Sequence, residues 1–146
     1  MKPPKETTSS EHQDRWWSSP GIVYFFAAGN PAKAIKIGVA ALTNGGTLKQ
    51  AVLRRFAQLQ TSNHETIELV GIIHFSHGKY PTRDAEVLER ELHIRFGTSQ
   101  RFKSNTRGCE WFTPTEELFS YIKEHTAMPE ALGLPKIISK PINRET

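Results

Sequence analysis

The run Gly21-Ile22-Val23-Tyr24-Phe25-Phe26-Ala27 is the strongest constraint on what this chain can fold into. Branched and aromatic residues fill it and Gly29-Asn30-Pro31 stops it, which is how a strand running into a turn reads. Ala34 to Ala40 reads as a second short strand. Two strands joined by so short a turn form an antiparallel hairpin, so a sheet must be built here.

The rest of the chain supplies what the hairpin needs to be covered. After a loop at Thr43-Asn44-Gly45-Gly46, Thr47 caps a helix over Leu48 to Leu59, with Leu48, Val52, Phe56 and Leu59 on one face. Thr61 to Glu65 breaks that pattern, and Ile67 to Phe75 reads as a third strand with Leu69, Val70, Ile72 and Ile73 buried. A second helix spans Thr82 to Phe96, its apolar stripe being Ala85, Leu88, Leu92 and Phe96. Glu110-Trp111-Phe112 is strand-like. Thr113 then caps a last helix, with Pro114 at its first position, Glu116 completing a capping box, and Leu118, Phe119 and Ile122 facing the core. The fold class is α+β: a central three-stranded, mainly antiparallel sheet flanked by helices.

At 146 residues the chain is long enough for one domain with a real core. The division expected is a flexible arm at 1–19, a domain at 20–127 and an extended, proline-marked tail at 128–146. Trp16 and Trp17 are the arm's only strong anchors, placed to dock on the domain. The arm is polar and mixed in charge, so it does not read as a secretory signal. No apolar run approaches the roughly 18 residues of a membrane span. The lone Cys109 fits a reducing compartment, and a cytoplasmic or nucleoid-associated location follows.

A net charge of +4 suits a polyanion partner, although many soluble proteins share it. Its placement says more. Arg95, Arg101, Lys103 and Arg107 fall in one stretch without an acid, with Phe96 and Phe102 between them. That stretch reads either as a set of phosphate contacts or as a solvated loop.

Three residues carry chemical interest. Glu86 and Glu91 each have an arginine four residues on, at Arg90 and Arg95, which explains all four. Glu89 has His93 at that offset and borders the apolar stripe, so it is either a metal or acid–base position or a partly solvated carboxylate. Arg55, beside Arg54, either clamps a phosphate or is an exposed helix arginine. Tyr24 is either a sheet tyrosine or a hydroxyl that orients water. His74 and His77 lack a matching second pair for zinc; His12, His64 and His125 carry no signal, and Gly45-Gly46 is too short to cradle phosphate.

The ordered strings Gly21-Ile22-Val23-Tyr24, Lys36-Ile37-Gly38, Arg55-Phe56-Ala57-Gln58-Leu59-Gln60-Thr61, Glu89-Arg90-Glu91-Leu92-His93 and Glu110-Trp111-Phe112 together resemble the GIY-YIG nuclease superfamily. The closer likeness is to its phage Orf-type DNA-binding, or meiotically up-regulated gene, branch. It covers about Pro20 to Lys123. The resemblance implies a DNA endonuclease using Mg2+ or Mn2+, with Tyr24 near the attacking water, Arg55 stabilising charge and Glu89 holding the metal. Lys36 stands where the standard signature has a second tyrosine, and its amine is expected to contact phosphate or water. His93 and Glu110 are accessory candidates, and Arg54, Arg95, Arg101, Lys103 and Arg107 are candidate nucleic-acid contacts. Arg101 lies at the offset of the usual asparagine, with Asn105 nearby. The partner expected is DNA, with RNA also open and no membrane; strong base specificity would call for a homo-oligomer or a partner domain. The other reading is a DNA-binding or protein-interaction module that keeps the fold without cutting.

Overall fold

The computed structural model describes residues 5–29, 31–43, 46–61, 65–97, 111–134 and 138–139. The hairpin is β1 (Gly21–Ala28) and β2 (Ala34–Ala41), paired antiparallel from Gly21↔Ala41 to Ala28↔Ala34. Gly29 takes φ +97° where the chain leaves β1, a conformation that side chains with a β-carbon rarely adopt. Strand β3 (Ile67–Phe75) pairs with the other edge of β1, so β1 is the middle strand. Every residue of β1 is buried, because the strand is covered on both faces and carries an unbroken apolar run.

The sheet is larger than three strands. Two-residue strands β4 (Trp111–Phe112) and β5 (Ile138–Ser139) extend it at either edge, giving the order β4-β2-β1-β3-β5, antiparallel throughout. Strands this short carry too little periodicity to be counted from sequence with confidence in their pairing. A register shift lies between Phe25 and Phe26, where β1 passes from Gly71 to Leu69. That bulge explains the mixed pattern of β3. It lets Leu69 and Ile72, three apart, face one layer, while Val70 and Ile73 pack half-buried on the other.

The two faces hold separate cores. On one, Val23, Phe25, Ile35 and Ile37 meet α3 (Pro81–Arg95) and α4 (Glu116–His125) through Ala85, Leu92, Leu118 and Ile122. On the other, Ile22, Tyr24, Phe26 and Leu69 meet α2 (Leu48–Thr61) through Val52, with Phe56 and Leu59 partly buried there. Helix α2 starts on a reciprocal cap: the Gln50 N–H donates to Thr47 Oγ1 at 3.1 Å, and the Thr47 N–H donates to Gln50 Oε1 at 3.0 Å. The helix runs on through Thr61, whose hydroxyl donates to the Ala57 carbonyl at 2.8 Å rather than ending the turn.

Two sequence expectations are corrected in α4. The cap is Thr115, not Thr113: its Oγ1 accepts the Leu118 N–H at 3.1 Å. Phe112 is still paired with Ile35, so Thr113 and Pro114 are needed to leave the sheet before a helix can begin. Starting there, Leu118, Tyr121 and Ile122 face inward, and Phe119 turns out to be 43% exposed.

The segment expected as a flexible arm holds a helix, α1 (Lys5–Ser18). Both indoles explain its docking: Trp16 Nε1 donates to Glu86 Oε2 at 2.8 Å, and Trp17 Nε1 to Glu86 Oε1 at 3.0 Å. Tyr80 donates to Asp14 Oδ1 at 2.9 Å, and the buried Thr82 hydroxyl to the Ser19 carbonyl at 2.7 Å. Glu86 is thus held by tryptophans, and Arg95 lies 3.7 Å from Glu117 and over the Phe96 and Tyr121 rings, so neither residue is explained by its helical neighbour four away. After Met128 the chain forms a 3-10 turn, Pro129–Leu132, with Pro129 and Leu134 buried, before β5. No helix among the described residues is long and apolar enough to cross a membrane.

Candidate active site

Tyr24, Lys36 and Gly38 share the α2 face of the hairpin, because Tyr24 is paired with Gly38 and Lys36 with Phe26. Tyr24 is only 3% exposed. Its ring crosses Gly38, and a β-carbon at Gly38 would collide with the ring and the hydroxyl. The Phe26 ring closes the other side, edge-on at 5.4 Å. The glycine of Lys36-Ile37-Gly38 therefore has a steric purpose: it is the gap through which the phenol lies.

Two helices bring charge to that phenol. Burial raises the Tyr24 hydroxyl above its ordinary value of 10.0; the Arg55 guanidinium on α2 pulls it back, and the Glu89 carboxylate on α3 pushes it further up. Both side chains are thus within electrostatic reach of the hydroxyl. Arg55 is half-buried, and its Nη1 donates to Gln58 Oε1 at 3.3 Å.

Glu89 is half-buried as well. Burial is the main force lifting its carboxyl above the ordinary 4.5; His93 and Lys36 work against that lift, Glu86 adds to it, and Arg90 opposes it. Lys36, 7% exposed on β2, is a buried cation within electrostatic reach of this group. His93 Nε2 lies 3.1 Å from the Ile37 carbonyl, and since a carbonyl only accepts, Nε2 must carry the proton. The imidazole also packs on the Phe112 ring, 5.1 Å between centroids. His93 thus ties α3 to β2 beyond the two residues, Ile35 and Lys36, that β4 covers among the described residues.

Tyr24 is thus coupled electrostatically to Arg55 and Glu89, and Glu89 in turn to His93 and Lys36. Arg54 is exposed on the outside of α2, and Arg95 sits at the far end of α3 against Glu117. Glu110, Arg101, Lys103, Arg107 and Asn105 lie outside the described residues. Sequence reasoning missed two features of the site's surroundings. Glu86 is a carboxylate one turn from Glu89 that is held by neutral indole donors, and the adjacent tryptophans were its only signal. The Tyr24–Gly38 crossing needed the register of the hairpin, which residue types do not state.

Among the described residues no three His, Cys, Asp or Glu side chains cluster as a metal cage. No curated protein and no solved structure matches the chain. The sequence model of the T5orf172 domain matches residues 21–126, which spans β1 through the end of α4. The chain belongs to the T5orf172 domain family, a phage-associated domain found in nuclease-related proteins.

Proposed function

We propose that this domain is a metal-dependent DNA endonuclease of GIY-YIG type, hydrolysing a phosphodiester bond at the corner formed by Tyr24, Arg55 and Glu89. The observation that carries the reading is the buried Tyr24 hydroxyl lying in the field of both Arg55 and Glu89, contributed by two separate helices. A structural tyrosine needs neither charge.

The donor set suits Mg2+ or Mn2+. Glu89 is a hard oxygen donor whose burial leaves its anion under-compensated, as its raised proton affinity records. Magnesium is commonly bound through one or two carboxylates, with water and substrate phosphate oxygens completing its shell. Such an ion supplies neutralisation of the scissile phosphate.

The chain's own groups supply the rest. With its pKa raised, Tyr24 stays protonated at neutral pH, so it enters as a hydrogen-bonding phenol that orients the attacking water. Arg55 Nε and Nη groups bind phosphate oxygens and stabilise the charge that grows on them. Lys36 Nζ adds a second cation on the Tyr24 face and supports the phosphate or the water. His93, donating from Nε2 to the Ile37 carbonyl, holds α3 so that Glu89 faces the corner.

The test is cleavage of supercoiled plasmid and of single-stranded DNA with magnesium, manganese or EDTA, comparing parent and Glu89→Ala. Metal-dependent nicking lost in the variant is the expected result. Salt-sensitive DNA binding with no cutting by either protein, on all substrates, would identify a binding module instead.

A further inference from the structure

We infer that the outer face of α2, carrying Arg54, Ala57, Gln58 and Thr61, is the surface on which double-stranded DNA docks, with Arg54 holding a backbone phosphate beside the one at Arg55. This deepens the nuclease reading and rests on it only for the position of Arg55.

The first argument is charge. Helix α2 contains Lys49, Arg54 and Arg55 and no acid, whereas α4, across the sheet, carries Glu116, Glu117 and Glu124 against Lys123. A polyanion is therefore drawn to the α2 side, which is also the face that carries Tyr24 and Lys36. The second argument is direction. Successive helical residues turn by about 100°, so with Val52 buried against the sheet, Arg55 points to the corner and Arg54 points outward. Gln58, whose Oε1 accepts from Arg55 Nη1, lies between them on the helix surface. Arg54 is exposed, and among the described residues it forms no ion pair.

The face also selects the form of nucleic acid. Ala57 and the backbone-tied Thr61 are short, which lets a helix approach a duplex closely. It presents no aromatic platform of the kind single strands stack upon. The ring that α2 itself carries, Phe56, turns inward to Phe26, 6.2 Å away.

The experiment is fluorescence anisotropy of a short duplex, and of one of its strands alone, in EDTA over about 50 to 200 mM salt. The parent should prefer the duplex. Arg54→Ala should weaken duplex binding roughly fivefold at low salt and reduce the slope of log K against log salt by about one. Arg54→Lys should restore the slope, and Lys123→Ala on α4 should leave it at the parental value. The inference is overturned by a parent that prefers the single strand, by an unchanged slope in Arg54→Ala, or by equal loss in Lys123→Ala. The assay is independent of cutting. A parent that cuts with a slope indifferent to Arg54 sinks this surface alone; Arg54-dependent duplex binding without cutting sinks the nuclease alone.

Discussion

Tyr24 lies across Gly38 of the neighbouring strand, and the space a β-carbon would fill at Gly38 is occupied by the phenol ring and its hydroxyl. The relationship links a backbone requirement to a chemical one. A glycine two residues after Lys36 allows a bulky, polar-tipped ring to lie against the strand with its hydroxyl still under the influence of charges on two helices.

Gly38→Ala should therefore displace Tyr24 rather than fit around it. Over-packing of this kind costs about 1–3 kcal/mol, measurable as a lowered denaturation midpoint. Cleavage should fall more than stability accounts for, because the hydroxyl moves. An alanine variant with parental stability and activity would mean the ring is not held there.

Glu89→Gln separates stability from function. Burial raises the Glu89 pKa above 4.5, so the folded state binds this proton more tightly than the unfolded chain does. Stability is thus lost as pH rises from the ordinary carboxyl value through the raised one. Glutamine removes that loss. The variant should melt about 2 °C above the parent at about pH 7 and match it at about pH 4, while metal-dependent nicking disappears. A variant less stable than the parent at neutral pH would contradict the electrostatic account.

Tyr24→Phe keeps the ring and deletes the hydroxyl. Single-turnover nicking should drop by about 10²–10⁴-fold, with the melting temperature at neutral pH nearly unchanged. At high pH the sign is set by the raised pKa: the folded parent retains its proton, and that stabilisation fades as pH rises above 10.0 through the folded value. Phenylalanine cannot titrate, so the two melting curves should diverge in alkali, with the parent falling faster.

The double substitution Trp16→Phe and Trp17→Phe keeps aromatic bulk and removes both donors to Glu86. A part-buried carboxylate losing a hydrogen bond costs about 1–3 kcal/mol. Amide exchange should quicken across α1 more than across β1. Equal protection of α1 in parent and variant would show that the helix is held by other contacts.

Much of the framework was legible in one dimension. β1 is an unbroken apolar run, β3 was bounded correctly at Ile67 and Phe75, and the spacing of Leu48, Val52 and Phe56 identified α2. These signals are local, and period and side-chain type carry them. The strings around Tyr24, Arg55 and Glu89 likewise marked which residues to watch. Helix α1 and the start of α4 were missed because their limits depend on long-range partners: Glu86 for the two tryptophans, and Ile35 for Phe112.

By itself the sequence determined which segments bury apolar faces, and it left Tyr24, Arg55 and Glu89 each with a structural and a chemical reading. Only the tertiary structure decided that the charges of Arg55 and Glu89 act on the Tyr24 hydroxyl. That coupling depends on the register that sets Tyr24 over Gly38, and on two helices on opposite faces of one sheet carrying Arg55 and Glu89. Register and layer packing are relations between distant residues, and no local pattern of side chains encodes them.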